Sequence, residues 1–388
     1  MKNDFVTILD FGSSKITCMA ASKVSDKGEF SIRAVGQVAY NGFDSDVWYE
    51  PNSIPDGISQ AIGQVEAKMK TKIKEVFVGV PGVFCAEVTS EATVAFHSKK
   101  KIDEVDIQDV IDKADIYKCE SGYSPLGGKP VCFILNGVLK LPNPVGMIAD
   151  RLMGVVSFSY MKNYFRDSVV QALRKIGINK YCFINTCEAQ ANYINQAMFG
   201  ENHTVLVVDI GHITTNVMLC GGNGLLFERT FALGSGYFAS DLCQVLGCDF
   251  NFAMSALEKI NLNLEVQSGD AYSLNGKMID AFQANEVVRA RIAQIAEYII
   301  KSFRFYDKDI PQDTPIVLTG GGLAHLRGGL DCLAANLGKK VRMYESFNVQ
   351  TRRNEYTSCY GLIFEAVKNN KSKGGVLAFL RRDRKGDK

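Results

Sequence analysis

The chain has 388 residues, of which 46% are hydrophobic, and its formal net charge is +2. This length and composition predict large cores and two domains or more, while the near-neutral charge gives no basic field for nucleic acid. The eleven cysteines form no CxxC pairs or Cys/His clusters, so we expect a reducing cytoplasm without disulfides. No apolar run has the length of a membrane span, which predicts a soluble or at most peripheral protein.

The first 80 residues predict a mixture of strands and one helix that is typical of half of a layered α/β domain. Strands are predicted at 5–10, 15–21, 31–38 and 75–80, and the helix at 54–69. The pattern then changes to short strands around one acidic amphipathic helix at 104–116. Gly/Pro-rich turns are predicted there at 123–130 and 142–146. We therefore expect a small inserted α+β subdomain.

The second half of the chain returns to longer helices and buried strands. Helices are predicted at 165–176, 188–199, 234–246, 252–260, 286–303 and 360–367, and strands at 181–184 and 315–319. The long helix has a stripe of Val288, Ile292, Ile295 and Ile299 along one face. The last strand runs directly into three glycines.

Two stretches about half the chain apart resemble each other: ILDFGSSKI at 8–16 and VVDIGHITTN at 207–216. Each is an apolar strand that ends in Asp-x-Gly, followed by a turn and a return strand. Glycine lets a backbone approach phosphate oxygens closely, and an aspartate suits a divalent cation held through water. A single copy would be an ordinary Asx-type turn. Two copies predict a pair of hairpins that grip a nucleotide polyphosphate from both sides.

These hairpins and the late segment LTGGG at 318–322 resemble the actin and sugar-kinase superfamily. Within it, three further features resemble the FtsA family of bacterial cell-division proteins. They are the LPNPVG turn at 141–146, the size and place of the insertion between Pro81 and Tyr160, and the segment 231–241. The resemblance implies an actin-like α/β fold of two domains, with ATP and Mg²⁺ in the cleft between them.

The resemblance also implies a division of the chain. The first domain comprises 1–82, 161–192 and the closing helix 356–368, with the inserted subdomain at 83–160. The second comprises 193–243, a small subdomain at 244–312, and 313–355. A linker at 369–375 and an amphipathic tail at 376–388 follow.

By the same resemblance, Asp10 and Asp209 would hold Mg²⁺ through water. The residues implied in nucleotide binding are Asp10, Gly12, Ser13, Ser14, Lys15, Asp209, Gly211, His212, Thr214, Thr215, Gly234, Gly236, Lys259, Gly320, Gly321 and Gly322. The three late glycines would seat adenine and ribose; their plainer interpretation is a strand-to-helix turn.

Several positions depart from the family pattern. His212 and Ile213 replace two glycines of the second hairpin, which predicts weak ATP hydrolysis or none. His212 itself is interpreted as a structural or exposed side chain rather than a catalyst. Ala256 stands where the family often has a glutamate, three residues before Lys259. Glu188 occupies the place where related ATPases orient the attacking water, but an acid at a helix start is an equally good interpretation.

The C-terminal tail has four large apolar residues on one side of a predicted helix, next to arginines. The residues are Val376, Leu377, Phe379, Leu380, Arg381 and Arg382. A disordered basic tail is the plainer interpretation. The glycine hinge before it and the family resemblance favour a weak membrane-targeting helix that needs several copies for stable attachment.

The resemblance implies a filament-forming protein that tethers the tubulin-like FtsZ to the cytoplasmic face of the membrane at the division site. The partners would be the FtsZ C-terminal tail, other copies of the chain, anionic lipid, and other division proteins at the inserted subdomain. The FtsZ tail would dock on 244–312, where Arg289 and Arg291 are candidate contacts. A PilM-like scaffold that binds a partner peptide and a small-molecule kinase remain alternatives.

Overall fold

The computed structural model describes residues 5–25, 29–43, 45–116, 121–200, 203–306, 310–346 and 349–371. The chain begins with a three-stranded meander, a helix and a fourth strand. These elements are β1 (Phe5–Phe11), β2 (Lys15–Lys23), β3 (Phe30–Ala39), α1 (Ile54–Met69) and β4 (Glu75–Val80). The bounds of α1 and β4 are those predicted from the sequence.

The insertion forms an antiparallel four-stranded sheet with a helix on one face. Its elements are β5 (Cys85–Lys101), α2 (Glu104–Ala114), β6 (Tyr123–Leu135), β7 (Leu139–Leu141) and β8 (Ile148–Lys162). The strand order is β5-β8-β6-β7. Ile107 and Val110 of α2 are buried against Phe133 and Leu152 of the sheet. The subdomain therefore has an apolar core of its own.

The turn predicted at 123–130 is wrong, because this stretch is the first half of strand β6. Two irregularities in the pairing of β6 with β8, between Pro125 and Gly127 and between Pro130 and Cys132, accommodate the prolines and glycines. Proline has no N–H to donate to the ladder of a sheet. A bulge leaves one residue of the strand unpaired, so a proline can lie there while the strand continues. The turn predicted at 142–146 is found outside the strands.

After the insertion the chain completes the first sheet with α3 (Asn163–Lys175), β9 (Lys180–Asn185) and α4 (Thr186–Met198). The strand order is β3-β2-β1-β4-β9; β1, β2 and β3 pair antiparallel, and β4 and β9 run parallel to β1. One side of this sheet holds an aromatic cluster of Phe11, Trp48, Phe84 and Phe165, with the rings of Phe84 and Phe165 5.0 Å apart.

The second half repeats this arrangement. Its elements are β10 (Thr204–Ile210), β11 (Thr215–Gly221), β12 (Gly224–Phe231), α5 (Ser235–Leu246), α6 (Phe250–Leu257), β13 (Ala271–Leu274), β14 (Lys277–Asp280), α7 (Ala281–Ser302), β15 (Ile316–Thr319), α8 (Gly329–Leu337) and β16 (Val341–Met343). The sheet order is β12-β11-β10-β15-β16, again an antiparallel meander followed by two parallel strands. The similar sequence stretches are therefore the first hairpins of two similar sheets.

Helices α4 and α9 (Thr357–Lys371) lie between the two sheets. Tyr360 and Ile363 of α9 pack on the first sheet, while Ala191 and Ile194 of α4 pack on the second. The helix α9 continues past the predicted end at 367. None of the helices in the described ranges is long and apolar enough to cross a membrane.

Candidate functional site

The tips of the two hairpins have the same backbone geometry. The N–H of Gly12 donates to the carbonyl of Lys15, and the N–H of Gly211 donates to the carbonyl of Thr214, both at 2.9 Å. A Cβ at either glycine would lie 3.3 or 3.1 Å from the carbonyl oxygen across the turn, which is tighter than ordinary contact. Glycine thus permits the turn itself. Because these two N–H groups are used within the turns, a phosphate would have to bind to other groups of the tips.

The hairpins face each other across a cavity of about 390 Å³, which is within the size range of small-ligand sites. Across it, the backbone N–H of Ile213 donates to the hydroxyl of Ser13 at 3.0 Å. Eleven of the predicted nucleotide-binding residues line this cavity: Asp10, Gly12, Ser13, Ser14, Lys15, Asp209, Gly211, His212, Thr214, Gly320 and Gly321. The fold therefore brings both hairpins and the late glycines into one site.

The carboxylates of Asp10 and Asp209 both face this cavity. Burial raises the pKa of Asp10, although hydrogen bonds from Ser358 and Cys359 oppose the rise. Burial also raises the pKa of Asp209 to about 6; the charge of Asp10 adds to this effect, and hydrogen bonds from Gln190 and Asn216 oppose it. Two carboxylates of like charge thus share one enclosed space, which a cation would stabilise.

The available oxygen atoms fit a hydrated Mg²⁺. In the described ranges, no three His, Cys, Asp or Glu side chains come together as a metal cluster. A cation here would therefore have at most two carboxylates from the protein and would complete its coordination with water and phosphate oxygens. Mg²⁺ in nucleotide sites is usually held in this way. Asp10 and Asp209 are the residues that would hold it.

The first of the three late glycines must be a glycine. Gly320 has φ of 88°, and a Cβ there would lie 2.2 Å from Oδ1 of Asp209. Gly321 lines the cavity, whereas Gly322 lies outside its lining and donates its N–H to the carbonyl of Ile210 at 2.7 Å. The segment therefore packs against the second hairpin and leaves bare backbone at the cavity wall.

Comparison with known proteins finds the same resemblance. Residues 85–158, inside the predicted insertion, match a domain described as the SHS2 domain inserted in FTSA. The cell division protein FtsA of Enterococcus hirae is 23% identical over 378 residues, which cover 92% of this chain and 81% of the relative. FtsA of Neisseria meningitidis is 21% identical over 415 residues, 97% of each chain. The predicted resemblance to FtsA is confirmed.

Solved structures with low sequence identity share the fold. A chain of the PilM–PilN type IV pilus biogenesis complex has a TM-score of 0.63 at 16% identity, covering 93% of this chain and 98% of that chain. MreB5 of Spiroplasma citri bound to AMPPNP has a TM-score of 0.56 at 10% identity, covering 96% and 100%. The fold is actin-like, as predicted.

Three residues predicted to contact the nucleotide support the second hairpin instead. Thr215 is fully buried, and its hydroxyl donates to the carbonyl of Leu233. Gly234 and Gly236 are outside the cavity lining and begin α5, where the N–H of Gly236 donates to the carbonyl of His212 at 2.7 Å. A Cβ at Gly234 would lie 2.5 Å from that carbonyl oxygen. The absence of a side chain at these glycines lets α5 pack closely against the hairpin. Because this contact is made only in the tertiary structure, the sequence does not reveal it.

Lys259 also lies outside the cavity. The helix predicted at 252–260 ends at Leu257, so Lys259 is exposed in the following turn, with its N–H donating to the carbonyl of Ala256. Met254, the fifth residue of α6, lines the cavity instead.

The structure places Glu188 away from the cavity lining. Its side chain is buried on α4, 3.3 Å from the ammonium of Lys129, which in turn is 3.0 Å from Glu365. Burial raises the pKa of Glu188, and Lys129 opposes this rise. The N–H of Glu188 also donates to the capping side chain of Asn185. This geometry favours the helix-start interpretation over a role in orienting water.

His212 and Lys15 both line the cavity, and each packs against a neighbouring residue. Burial lowers the pKa of His212, so the imidazole is neutral at pH 7. A Cβ at Gly236 would lie 3.0 Å from Cε1 of His212, so this ring packs on the start of α5. The ammonium of Lys15 lies 5.1 Å from the centre of the Tyr356 ring, a cation–π distance.

Among the polar residues of the cavity that sequence reasoning missed, three adjoin the aspartates: Gln190, Asn216 and Ser358. Asn216 is the last residue of the second hairpin motif, and Gln190 lies two residues after Glu188. Both residues are therefore next to positions that the sequence analysis had identified. Ser358 begins the closing helix, and no local motif marks it. Only the fold brings it to Asp10.

The two candidate arginines for a partner are already engaged. Arg291 makes a bidentate ion pair with Asp241, at 2.6 and 2.7 Å, and its guanidinium lies over Tyr237. Arg289 donates to the carbonyl of Leu262 at 2.6 Å, but its side chain remains 38% exposed. The predicted membrane residues 376–382 lie outside the described residues.

Proposed function

We propose that this chain is an ATP-binding, actin-like cell-division protein that forms filaments and tethers FtsZ to the cytoplasmic membrane at the division site. One observation supports nucleotide binding most directly: the paired hairpins, their two aspartates and the glycine backbone of 320–321 all line one cavity. The similarity to FtsA proteins over most of the chain supports the role in cell division.

Each part of the cavity has a proposed task. The polar groups of Ser13, Ser14, Lys15 and Thr214 surround the phosphates, and Gly320 and Gly321 seat the nucleoside. Mg²⁺, when bound, neutralises phosphate charge between the two hairpins. A ligand that contacts both hairpins stabilises the closed arrangement of the domains over an open one, because it interacts fully only with the closed one.

Turnover of the nucleotide is proposed to be slow or absent. Glu188, the candidate for orienting water, is held by Lys129 outside the cavity lining. The neutral His212 occupies the hairpin position where the family resemblance implies a glycine. The nucleotide would then act as a conformational ligand for assembly more than as a substrate.

The nucleotide site is tested by Asp209→Ala. Loss of this carboxylate removes one of two cation-holding groups, so we expect ATP affinity in Mg²⁺ to fall more than about tenfold, or roughly 1.4 kcal/mol. Asp109→Ala, on the exposed face of α2, is the matched control and should bind as the wild type does. Isothermal titration would measure both. Equal affinities in the two variants would contradict the hairpin assignment.

Membrane attachment is proposed to use the tail at 376–388, where apolar residues adjoin arginines. One short helix binds weakly, so several copies in a filament are needed for stable attachment. Vesicles with anionic lipid should sediment the full chain in ATP, with filaments visible on the vesicles by electron microscopy. A chain that ends at Gly374 should stay in the supernatant. Equal sedimentation would refute the membrane role of the tail.

FtsZ binding is proposed to involve Arg289, because Arg291 is occupied by Asp241. Binding to a peptide of the FtsZ C-terminal tail should weaken in Arg289→Glu and at higher salt. Arg291→Glu is not a useful test, since it would oppose Asp241 with a like charge and loosen α5 from α7. A PilM-like scaffold would share the fold without affinity for this peptide, so the same measurement separates the two functions.

A further inference from the structure

We propose that Ser358 is a positioning residue for the cation site: its hydroxyl holds the Asp10 carboxylate in the orientation that receives a hydrated Mg²⁺. This inference rests on the proposed nucleotide site and adds to it a residue from the closing helix, almost the whole chain length away from Asp10.

The contact is direct and specific. The hydroxyl of Ser358 donates to Oδ2 of Asp10 at 2.7 Å, and the thiol of Cys359 lies 3.4 Å from the same oxygen. Both side-chain hydrogen bonds therefore end on one oxygen and fix the rotation of the carboxyl group. Ser358 lines the cavity, so its bond to Asp10 is formed at the wall where the cation would bind. A hydrogen bond to a charged group at this distance is among the stronger ones in proteins.

Asp10 needs such a contact because its own element fixes only its backbone. It pairs with Thr17 in the β1–β2 ladder, which fixes the backbone of Asp10 but does not set the rotation of its carboxyl group. Gln190 of α4 and Asn216 of β11 lie beside the opposite carboxylate and lower the pKa of Asp209 against the effect of its burial. Each carboxylate of the pair thus has polar side chains from other elements next to it.

Ser358 is itself held in place by the start of α9. The hydroxyl of the preceding Thr357 donates to the carbonyl of Asn354, and the hydroxyl of Thr319, at the end of β15, donates to Thr357 at 2.9 Å. Thr319 directly precedes Gly320, so one short network joins the glycine seat, the helix start and Asp10. A hydroxyl on such a fixed element can preorganise a metal ligand, and supporting residues of this kind tune metal affinity substantially.

The experiment compares Ser358→Ala with Ser358→Thr, which keeps the hydroxyl. Binding of a fluorescent ATP analogue would be measured across a Mg²⁺ titration and in EDTA. We expect Ser358→Ala to need about tenfold more Mg²⁺ for half-maximal enhancement of affinity, with less than a twofold change in EDTA. Ser358→Thr should restore the wild-type Mg²⁺ requirement. Thermal unfolding in EDTA without nucleotide checks that both variants fold.

Two results would overturn the inference alone: a wild-type Mg²⁺ requirement in Ser358→Ala, or an equal loss of affinity with and without Mg²⁺, which would indicate a packing role. If Ser358→Ala does not fold, Ser358→Cys replaces the hydroxyl by a weaker thiol donor, and it should need more Mg²⁺ than the wild type and Ser358→Thr. A wild-type chain that binds no ATP analogue would instead overturn the proposed nucleotide site, and the inference with it.

Discussion

At the scale of single residues, the cleft depends on glycines that leave no room for a side chain. Gly320 is constrained both by its positive φ and by its closeness to Asp209. Its neighbour Gly321 has no such restriction, since a Cβ there would lie 3.5 Å from the Cβ of Glu355, an ordinary contact. Substituting each of these adjacent glycines separately therefore distinguishes the effect of positive φ and a close contact from the effect of adding a methyl group alone.

Gly320→Ala should lower the free energy of unfolding by about 2–4 kcal/mol, because it combines backbone strain with a clash against Oδ1 of Asp209. It should also reduce nucleotide affinity by displacing that carboxylate. Gly321→Ala should change the free energy of unfolding by less than about 1 kcal/mol. Urea denaturation without nucleotide measures these effects. Equal destabilisation by the two substitutions would show that the φ of Gly320 is not the cause.

At the scale of secondary-structure elements, the sequence predicted the features that depend on local residue patterns: helix bounds, buried stripes and hairpins. The bounds of α1 follow from its apolar stripe and a proline in its first turn, and the buried stripe of α7 was identified at Val288, Ile292, Ile295 and Ile299. Both hairpins were predicted because Asp-x-Gly ends an apolar strand. The roles of Thr215 and Gly234 depend on which element packs against them, so local patterns could not reveal them.

The contact between α4 and α9 is another feature that only the tertiary structure shows. A Cβ at Gly361 would lie 2.6 Å from the backbone of Ala189 and Gln190, so a glycine is needed where the helices cross. From the same two helices, Gln190 lies beside Asp209 and Ser358 donates a hydrogen bond to Asp10. The close crossing therefore fixes the spacing of two residues that adjoin the carboxylates.

Gly361→Ala should separate these helices and lower the free energy of unfolding by about 2–3 kcal/mol, in line with other overpacked core sites. Gly63→Ala is the matched control on α1, where nothing lies within 4 Å of the added Cβ. It should raise the free energy of unfolding by up to about 1 kcal/mol, because alanine is the better helix former. Chemical denaturation of both variants checks the prediction. Stabilisation by Gly361→Ala would contradict the proposed tight crossing.

At the scale of the whole molecule, half-buried carboxyl groups line a cavity where the inserted subdomain meets the rest of the fold. Glu87 of β5 accepts hydrogen bonds from Ser157 and Ser159, and Glu228 of β12 accepts one from Asn185 at 2.8 Å. Burial raises the pKa of Glu87 well above its usual range and that of Glu228 to about 7. Lys129 is the cation placed between Glu188 and Glu365 in the same region.

From these raised pKa values we expect the free energy of unfolding to fall as pH rises. Between the unfolded pKa of a glutamate, about 4.3, and the folded value near 7, the folded chain binds more protons than the unfolded chain. The stabilising contribution is therefore complete below about pH 4.5 and is lost as pH rises through 7. We expect the free energy of unfolding in urea to decrease by a few kcal/mol from pH 5 to pH 8. A stability that rises over this range would contradict the raised values.

Replacing Lys129 should strengthen this pH dependence, since its ammonium is the group that compensates the buried carboxylates of Glu188 and Glu365. Lys129→Met should cost about 3 kcal/mol at pH 8, as expected for a broken buried ion pair, and less at pH 5, where Glu188 can take up a proton. Lys301→Met removes a partly exposed lysine that pairs with Glu297 within α7 and should cost less than about 0.5 kcal/mol at either pH. Urea denaturation of both variants at the two pH values makes the comparison. An equal loss at pH 5 and pH 8 in Lys129→Met would indicate that the lysine acts through packing, and that its charge does not join the inserted subdomain to α4 and α9.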